Sequence, residues 1–466
     1  MRRTLCLGIA AAVLLILPCR TTAAPLEAGF GVAEITPEKP MRMAGYFNER
    51  VSDGTLDPLL AKAVVFRQGE QHAALVFCDL CMVSPRLAAD SRGKIEKACG
   101  IPTENVVVAA THAHTGPLYC GSIRDYLHET RIAEEGKDPL EETDYVSFAA
   151  GRIGEAVKAA LADAKPVTVH AGSAEQQGLS FNRRFHMKSG PVRFNPGVLN
   201  PDIVKAAGPI DPEVGLLLFK NASSGENVAS LTVFALHLDT VGGTKFSADY
   251  PYFLGESLKK EFGPGFVSLF GIGTCGDINH IDVTKAERLE TAFIGNSLGQ
   301  TVKEALPELD VIDTPSLAVG RAVLYAPIQQ YSAEEIDEAR KMMPHLGDGD
   351  VPFLTRVRFC KIVGLQARDA KVLPLEIQAI RLSDAVALVT LPGEVFVDLG
   401  LDIKRESPFE HTIVIQLAND APGYIPTQKA FIEGSYETVN SQIQSGGGEQ
   451  MRDAAITLLK ELKQRK

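Results

Sequence analysis

Short apolar runs alternate with amphipathic helical stretches along nearly the whole chain, and this alternation limits the fold more than any other feature. Nine runs read as strands: "LAKAVVFRQ", "AALVFCDL", "NVVVAAT", "VGLLLFK", "ASLTVFALHL", "FVSLFGIG", "LEIQAIRLS", "VALVTLP" and "HTIVIQLAN". Helical spacing falls at 84–98, 143–164, 252–262, 286–306, 333–343, 395–405 and 450–465, and Ser84 before Pro85 is a good helix start. The interleaving predicts an α/β (mixed α+β) protein, with mixed β-sheets flanked by helices. Residues 25–466 exceed what one compact core usually holds, so a single large catalytic unit with two lobes is expected, with 309–318 a candidate boundary. Segment 181–213 is rich in Pro and Gly and poor in helix or strand signals, which suggests a functional lid. No period of 20–50 residues marks a repeat protein.

The first 24 residues read as a cleavable signal peptide: two arginines, an apolar run, then small residues at Ala23 and Ala24. The run is shorter than the ~20 residues of a spanning helix. The expected mature protein is soluble and exported, periplasmic or extracellular, with no transmembrane anchor. Losing Arg2, Arg3 and Arg20 from 47 basic residues leaves 44 against 58 acids, a net of −14. Phosphate backbones repel such a chain, so nucleic acid is not an expected partner. Cys78, Cys81, Cys99, Cys120, Cys275 and Cys360 are too few for a disulfide framework in a chain this long. "CDLC" lacks a second CxxC and lies in a buried-strand pattern, so its thiols read as small core hydrophobes.

"VVVAATHAHTGP" carries His112 and His114 at the exit of a strand. Residues i and i+2 of a strand share a face, so the two imidazoles are placed to bind one zinc ion. His237 ends another apolar strand, and Glu394 follows a strand and a Pro-Gly turn. Active-site groups of open α/β sheets collect at such strand ends. His280 also follows a strand, and spacing alone does not choose between it and His237.

These segments together resemble the neutral/alkaline (non-lysosomal) ceramidase family over most of residues 25–466. "AGFGVAEITPEKPMRMAGYF" resembles the family's opening, and "THAHTGP" its H-T-H-S-G-P motif. "SFNRRF", "LHLDTVGG" and "LPGEVF" are similar to its N-R-S, H-P-T and P-G-E-F segments, and "NDAPGYIPTQKAFIEGSYE" to its segment with two tyrosines twelve apart. The resemblance implies a zinc held by His112, His114, His237, Glu394 and Tyr424, with Arg183 and Tyr436 beside the scissile group. Two departures stand out. "CGDINHID" has Asn279 where the family carries a serine, followed by His280, and no counterpart of the family's C-terminal immunoglobulin-like domain is seen. An amide cannot act as a nucleophile, whereas metal-activated water does not need that serine. Asn279 could still donate to an oxyanion, and His280 or Asp277 could transfer protons.

The expectation is therefore a secreted zinc hydrolase cleaving an N-acyl amide, acting on a small amphiphilic or N-acyl substrate. The alternatives are a metal-binding protein that lost turnover, an esterase of unrelated substrate, and a metal-dependent hydrolase of phosphoesters or sugars. A second metal near Asp249 or Asp277 and the oligomeric state are left open by the sequence.

Overall fold

A computed structural model describes residues 24–345, 351–368 and 370–465; the signal-peptide reading falls almost wholly outside these residues. Among them the largest sheet has nine strands. Eight run in the order Val267–Ile272, Asn227–Phe234, Glu213–Asn221, Lys165–Glu175, Glu27–Glu34, Leu60–Gln68, Gln71–Cys78 and Val106–Ala110, and Asp310–Val311 pairs with Lys165–Glu175. The joint between Glu27–Glu34 and Lys165–Glu175 is narrow: Glu27 opposes Pro166 and Ala28 opposes Lys165. The sheet bends there, and its edge strand Val267–Ile272 comes back against Gln71–Cys78 and Val106–Ala110. Lys62 Nζ donates across this closure to Ser268 O at 3.2 Å. The two ends of the sheet, far apart in a flat sheet, therefore meet.

A second sheet, Pro315–Pro327, Val372–Ser383, Val386–Thr390 and His411–Ile415, packs on the first. Period-2 alternation explains the layering. Val386 and Leu388 join Phe77, Leu231 and Leu269 between the sheets. Ala387 and Val389 point the other way, to Leu399, Leu458 and Leu462 of the outer helices. On the large sheet, Val106 and Val108 pack under Leu87 and Ile153. Each fully buried Leu, Ile or Val contributes about 1.5–3 kcal/mol, so the shared layer binds the two sheets together. Segment 309–318 is where the chain passes from one sheet to the other.

Among the described residues, three strand pairs in the two large sheets are parallel, and each is joined by a helix, as parallel neighbours require. Helix Pro85–Cys99 links Gln71–Cys78 to Val106–Ala110. Helix Tyr250–Phe262 links Asn227–Phe234 to Val267–Ile272, and Val397–Glu406 links Val386–Thr390 to His411–Ile415. Ser84 caps the first of these helices, accepting from Leu87 N at 3.2 Å. Because the large sheet closes on itself, the loops leaving these parallel strands gather in one place. No helix among the described residues is long and apolar enough to cross a membrane.

Segment 181–213 is not the unstructured stretch its composition suggested. Arg184–Met187 pairs with Val192–Phe194 and Ile203–Ala206 in a three-stranded sheet, and Phe181–Asn182 pairs with Ile278–Asn279. These strands have two to four residues each, too short between Pro and Gly breaks to show a period. Strand Glu27–Glu34 escaped the apolar pattern for another reason. A Cβ on Gly29 or Gly31 would come within 2.0 Å of the Ala160 or Ala156 carbonyl oxygen, so helix Tyr145–Asp163 lies directly on glycine backbone.

Candidate metal centre

The histidine pair does not sit on the strand, as a shared pleat face would require. Val106–Ala110 ends first, and His112 lies in the following loop at φ 80°. A side chain enters that left-handed region at a cost of roughly 1–2 kcal/mol, so the loop must hold it there. His112 N donates to Leu80 O at 2.9 Å, and Nδ1 lies 2.7 Å from Cys81 O. That carbonyl accepts the Nδ1 hydrogen and leaves Nε2 turned inward. His114 meets it edge-on, the two Nε2 atoms 3.2 Å apart. His237 is held in the same manner, Nδ1 lying 2.9 Å from Cys275 O, with its ring centroid 4.6 Å from that of His112.

Glu394 enters from the second sheet. Gly393 turns the chain at φ 79°, and Glu394 bridges in parallel to Tyr424, its N donating to Gly423 O at 3.0 Å. Its Oε2 stands 3.4 Å from His112 Nε2 and 3.3 Å from His237 Nε2. That oxygen is buried without a hydrogen-bond donor, as is His114 Nδ1. His112, His237 and Glu394 thus form one set at ligating distance, while His114 groups with His112 and Cys81. Between His237 and His280, the structure brings His237 to the carboxylate.

The electrostatics of the set follow from burial. Burial opposes the charge of Glu394, but the neighbouring His112 and His237 hold its carboxyl well below the usual range. Burial, then the Arg183 guanidinium, pushes His237 down to about 4, and burial with His112 lowers His114 strongly. His112 is raised well above its ordinary value, because Cys81 and Glu394 outweigh its burial. Burial thus works against charge throughout the set, and the Glu394 carboxylate is held low only by the imidazoles beside it. A buried carboxylate oxygen without a donor, facing imidazole nitrogens whose far sides are tied to carbonyls, is an arrangement that a divalent cation fits. Nitrogen and oxygen donors of this kind suit zinc.

Arg183 borders the set. Its Nη1 is 3.2 Å from His237 Nε2, Nη2 donates to Gly276 O at 2.7 Å, and Nε donates to Glu437 Oε1 at 3.0 Å. The guanidinium carbon lies 5.4 Å from the Tyr424 ring centre and 5.9 Å from that of Tyr436. Those two rings meet edge-on at 5.4 Å, and Phe47, Phe194 and Phe353 pack on Tyr436. Sequence reasoning missed Glu437, which is fully buried and also accepts from Arg184 Nη1 at 2.8 Å. Only its place directly after Tyr436 hinted at it.

The remaining candidates have settled partners. Asn279 Nδ2 donates to Asn195 Oδ1 at 2.9 Å, and His280 Nδ1 lies 3.0 Å from Asp239 Oδ1. Asp277 accepts from Val397 N at 2.9 Å and Asn182 Nδ2 at 2.8 Å, and burial pushes it up to about 6. Asp249 caps helix Tyr250–Phe262 and accepts from Thr240, Val241 and Tyr250. Both carboxylates are committed to backbone and side-chain donors, and neither belongs to a ligand cluster among the described residues. The cysteines of "CDLC" are free; Cys81 serves through its carbonyl.

A fold of this kind, with histidines and a carboxylate converging from the ends of parallel strands, defines a candidate metal-dependent enzyme. The profile of the neutral/alkaline non-lysosomal ceramidases, N-terminal region, matches residues 26–277, and the chain belongs to this family. It is 26% identical over 328 residues to the neutral ceramidase of Pseudomonas aeruginosa, covering 64% of this chain and 45% of that protein, less than half its length. The crystal structure of the Pseudomonas aeruginosa neutral ceramidase superposes with a TM-score of 0.71 at 19% identity, covering 95% of this chain and 75% of that one. A ceramidase complexed with C2 gives 0.69 at 19% identity, covering 95% and 76%. These structures share the fold. Glu394, Tyr424 and Tyr436 lie beyond the segment the family profile covers.

Proposed function

We propose that this chain is a zinc-dependent hydrolase of an N-acyl amide bond, with a ceramide-like or smaller N-acyl amphiphile as substrate. One observation carries the reading: Glu394 Oε2, buried and without a donor, faces the Nε2 atoms of His112 and His237. Membership of the ceramidase family supports the amide as the bond attacked. His112, His237 and Glu394 would hold the ion, with His114 and Tyr424 completing the set. Zinc bound there polarises a carbonyl and brings the pKa of water to about 7.

The chain's own residues do the rest. The carbonyls of Cys81 and Cys275 fix the tautomers of His112 and His237. Arg183, clamped by Glu437 and Gly276 O, holds a fixed positive charge beside His237, where it orients the acyl carbonyl. The Tyr436 phenol keeps its proton, because burial raises its pKa, and donates to the oxyanion. Phe47, Phe194 and Phe353 offer an apolar wall to the hydrophobic part of the substrate. Asn279 cannot form an acyl intermediate, so water attacks directly.

The test is hydrolysis by the purified full chain of N-acyl sphingosines, N-acyl amino alcohols, carboxylic esters and phosphodiesters, before and after chelation. Amide hydrolysis that chelation abolishes and zinc restores is expected. Amide hydrolysis that survives exhaustive chelation, or its absence in zinc-replete protein, overturns the reading. A second reading, a metal-binding protein without turnover, draws on Asn279 at the family's serine position; stoichiometric zinc with no hydrolysis of any substrate in the panel supports it. Export to the periplasm or medium belongs to the same proposal, supported by the leader composition. N-terminal sequencing of secreted protein should begin at Pro25.

A further inference from the structure

His280 is the histidine the metal set leaves out, and it is held as firmly as those inside it. It closes the loop that gives Cys275 O to His237, and its side chain is 4% exposed. Nδ1 lies 3.0 Å from Asp239 Oδ1, and Asp239 stands two residues after His237. One loop thus supplies both a metal-facing imidazole and the carboxylate that holds His280. On the other side Ile278 pairs with Asn182, the neighbour of Arg183, and Asn279 is tied to Asn195. His280 is therefore wedged between the His237 loop and the segment that carries Arg183. Among the described residues nothing in the protein bonds its Nε2.

A histidine whose Nδ1 hydrogen is held by a carboxylate presents Nε2 for proton exchange, and the carboxylate stabilises the imidazolium. We propose that His280 is the catalytic acid that protonates the departing amine and that Asp239 is its positioning residue; this rests on the amide-hydrolysis reading above. The carbon–nitrogen bond breaks with its electron pair on nitrogen, and the His280 Nε2 proton goes to that nitrogen. The water that gives its hydroxyl to the carbonyl carbon releases the proton that recharges His280. Water is consumed, and a carboxylic acid and an amine are formed. An amine cannot leave unprotonated, whereas para-nitrophenolate leaves without help, and this difference separates a proton donor from a residue that only shapes the loop.

The experiment uses the full chain, zinc-replete, with two probes: a medium-chain N-acyl amino alcohol and the para-nitrophenyl ester of the same acid. His280→Ala should lower kcat/KM for the amide by about 10²–10⁴-fold and for the ester by less than about tenfold. Asp239→Asn should show the same asymmetry with a smaller loss. If His280→Ala melts early, His280→Asn, whose amide can keep the bond to Asp239, is read instead. Equal losses on both probes, or an amide rate unchanged in both variants, overturns the proton-donor role while leaving the hydrolase reading intact. A wild-type protein that cleaves no amide overturns the hydrolase reading, and the donor role with it.

Discussion

His128, Asp138 and Glu141 approach one another as closely as His112, His237 and Glu394 do, yet their surroundings differ. In the first cluster Arg42 Nη1 lies 2.6 Å from Asp138 Oδ2, Arg42 Nε lies 2.8 Å from Glu49, and Arg124 pairs with Glu141. Two guanidiniums answer the carboxylates. In the second, Arg183 is committed to Glu437 and Gly276 O, and Glu394 Oε2 has no donor. Closeness of donor atoms is shared; unmet negative charge is not. At an effective dielectric near 20, unit charges 4 Å apart interact by about 4 kcal/mol, so the two arginines remove most of what a cation would gain at the first cluster.

The largest contrast lies in metal retention. His237→Ala or Glu394→Ala should cost more metal affinity than the roughly 10–100-fold lost with an outer-shell partner, and amide hydrolysis should fall with it. Asp138→Asn should leave metal content unchanged; metal analysis of the three variants checks this. Asp138→Asn should act on stability instead. It breaks a pair whose side chains are 1% and 0% exposed, and breaking a buried pair costs about 3–5 kcal/mol, readable by denaturant unfolding. Glu437→Gln should lie between these extremes: zinc stays, and kcat drops by about 10²-fold as Arg183 loses its clamp, at the lower end for one oriented donor. Single-turnover kinetics alongside metal analysis separates that loss from a loss of the ion.

The smallest effect concerns acid. Burial works against the Asp138 charge, but Arg42 and His128 hold its carboxyl below the ordinary value. A depressed folded pKa gives stability that is present above the unfolded value, near 3.9, and lost as pH falls through the folded one. Wild-type stability should therefore drop more than that of Asp138→Asn on acidification below about pH 4. Equal acid sensitivity would remove the ion-pair explanation of this cluster.

Part of the candidate centre was legible because functional groups of α/β sheets collect at strand ends, which apolar runs reveal. His112, His237 and Glu394, which the fold brings together, were singled out that way, while Tyr424, Tyr436 and Arg183 were named only through the family resemblance. The choice of His237 over His280 was not legible, since both follow adjacent parallel strands and only their partners, Cys275 O and Asp239, tell them apart. Glu437 and Asp239 were missed as partners because their arginine and histidine lie 254 and 41 residues away, and sequence spacing carries no sign of such pairing. Helix Ser122–Glu135 escaped notice because it has no buried residue and hence no apolar stripe. Asp249 and Asp277 read as possible ligands because a committed carboxylate and a free one look alike in sequence.

Zinc content of the purified full chain, wild type beside Glu394→Ala, tests the centre most directly. About one zinc per chain in the wild type and little in the variant, with matching melting curves of the two metal-free proteins, is expected of a site built on an unanswered carboxylate. Equal zinc in both proteins, or none in wild type dialysed against zinc, would contradict it.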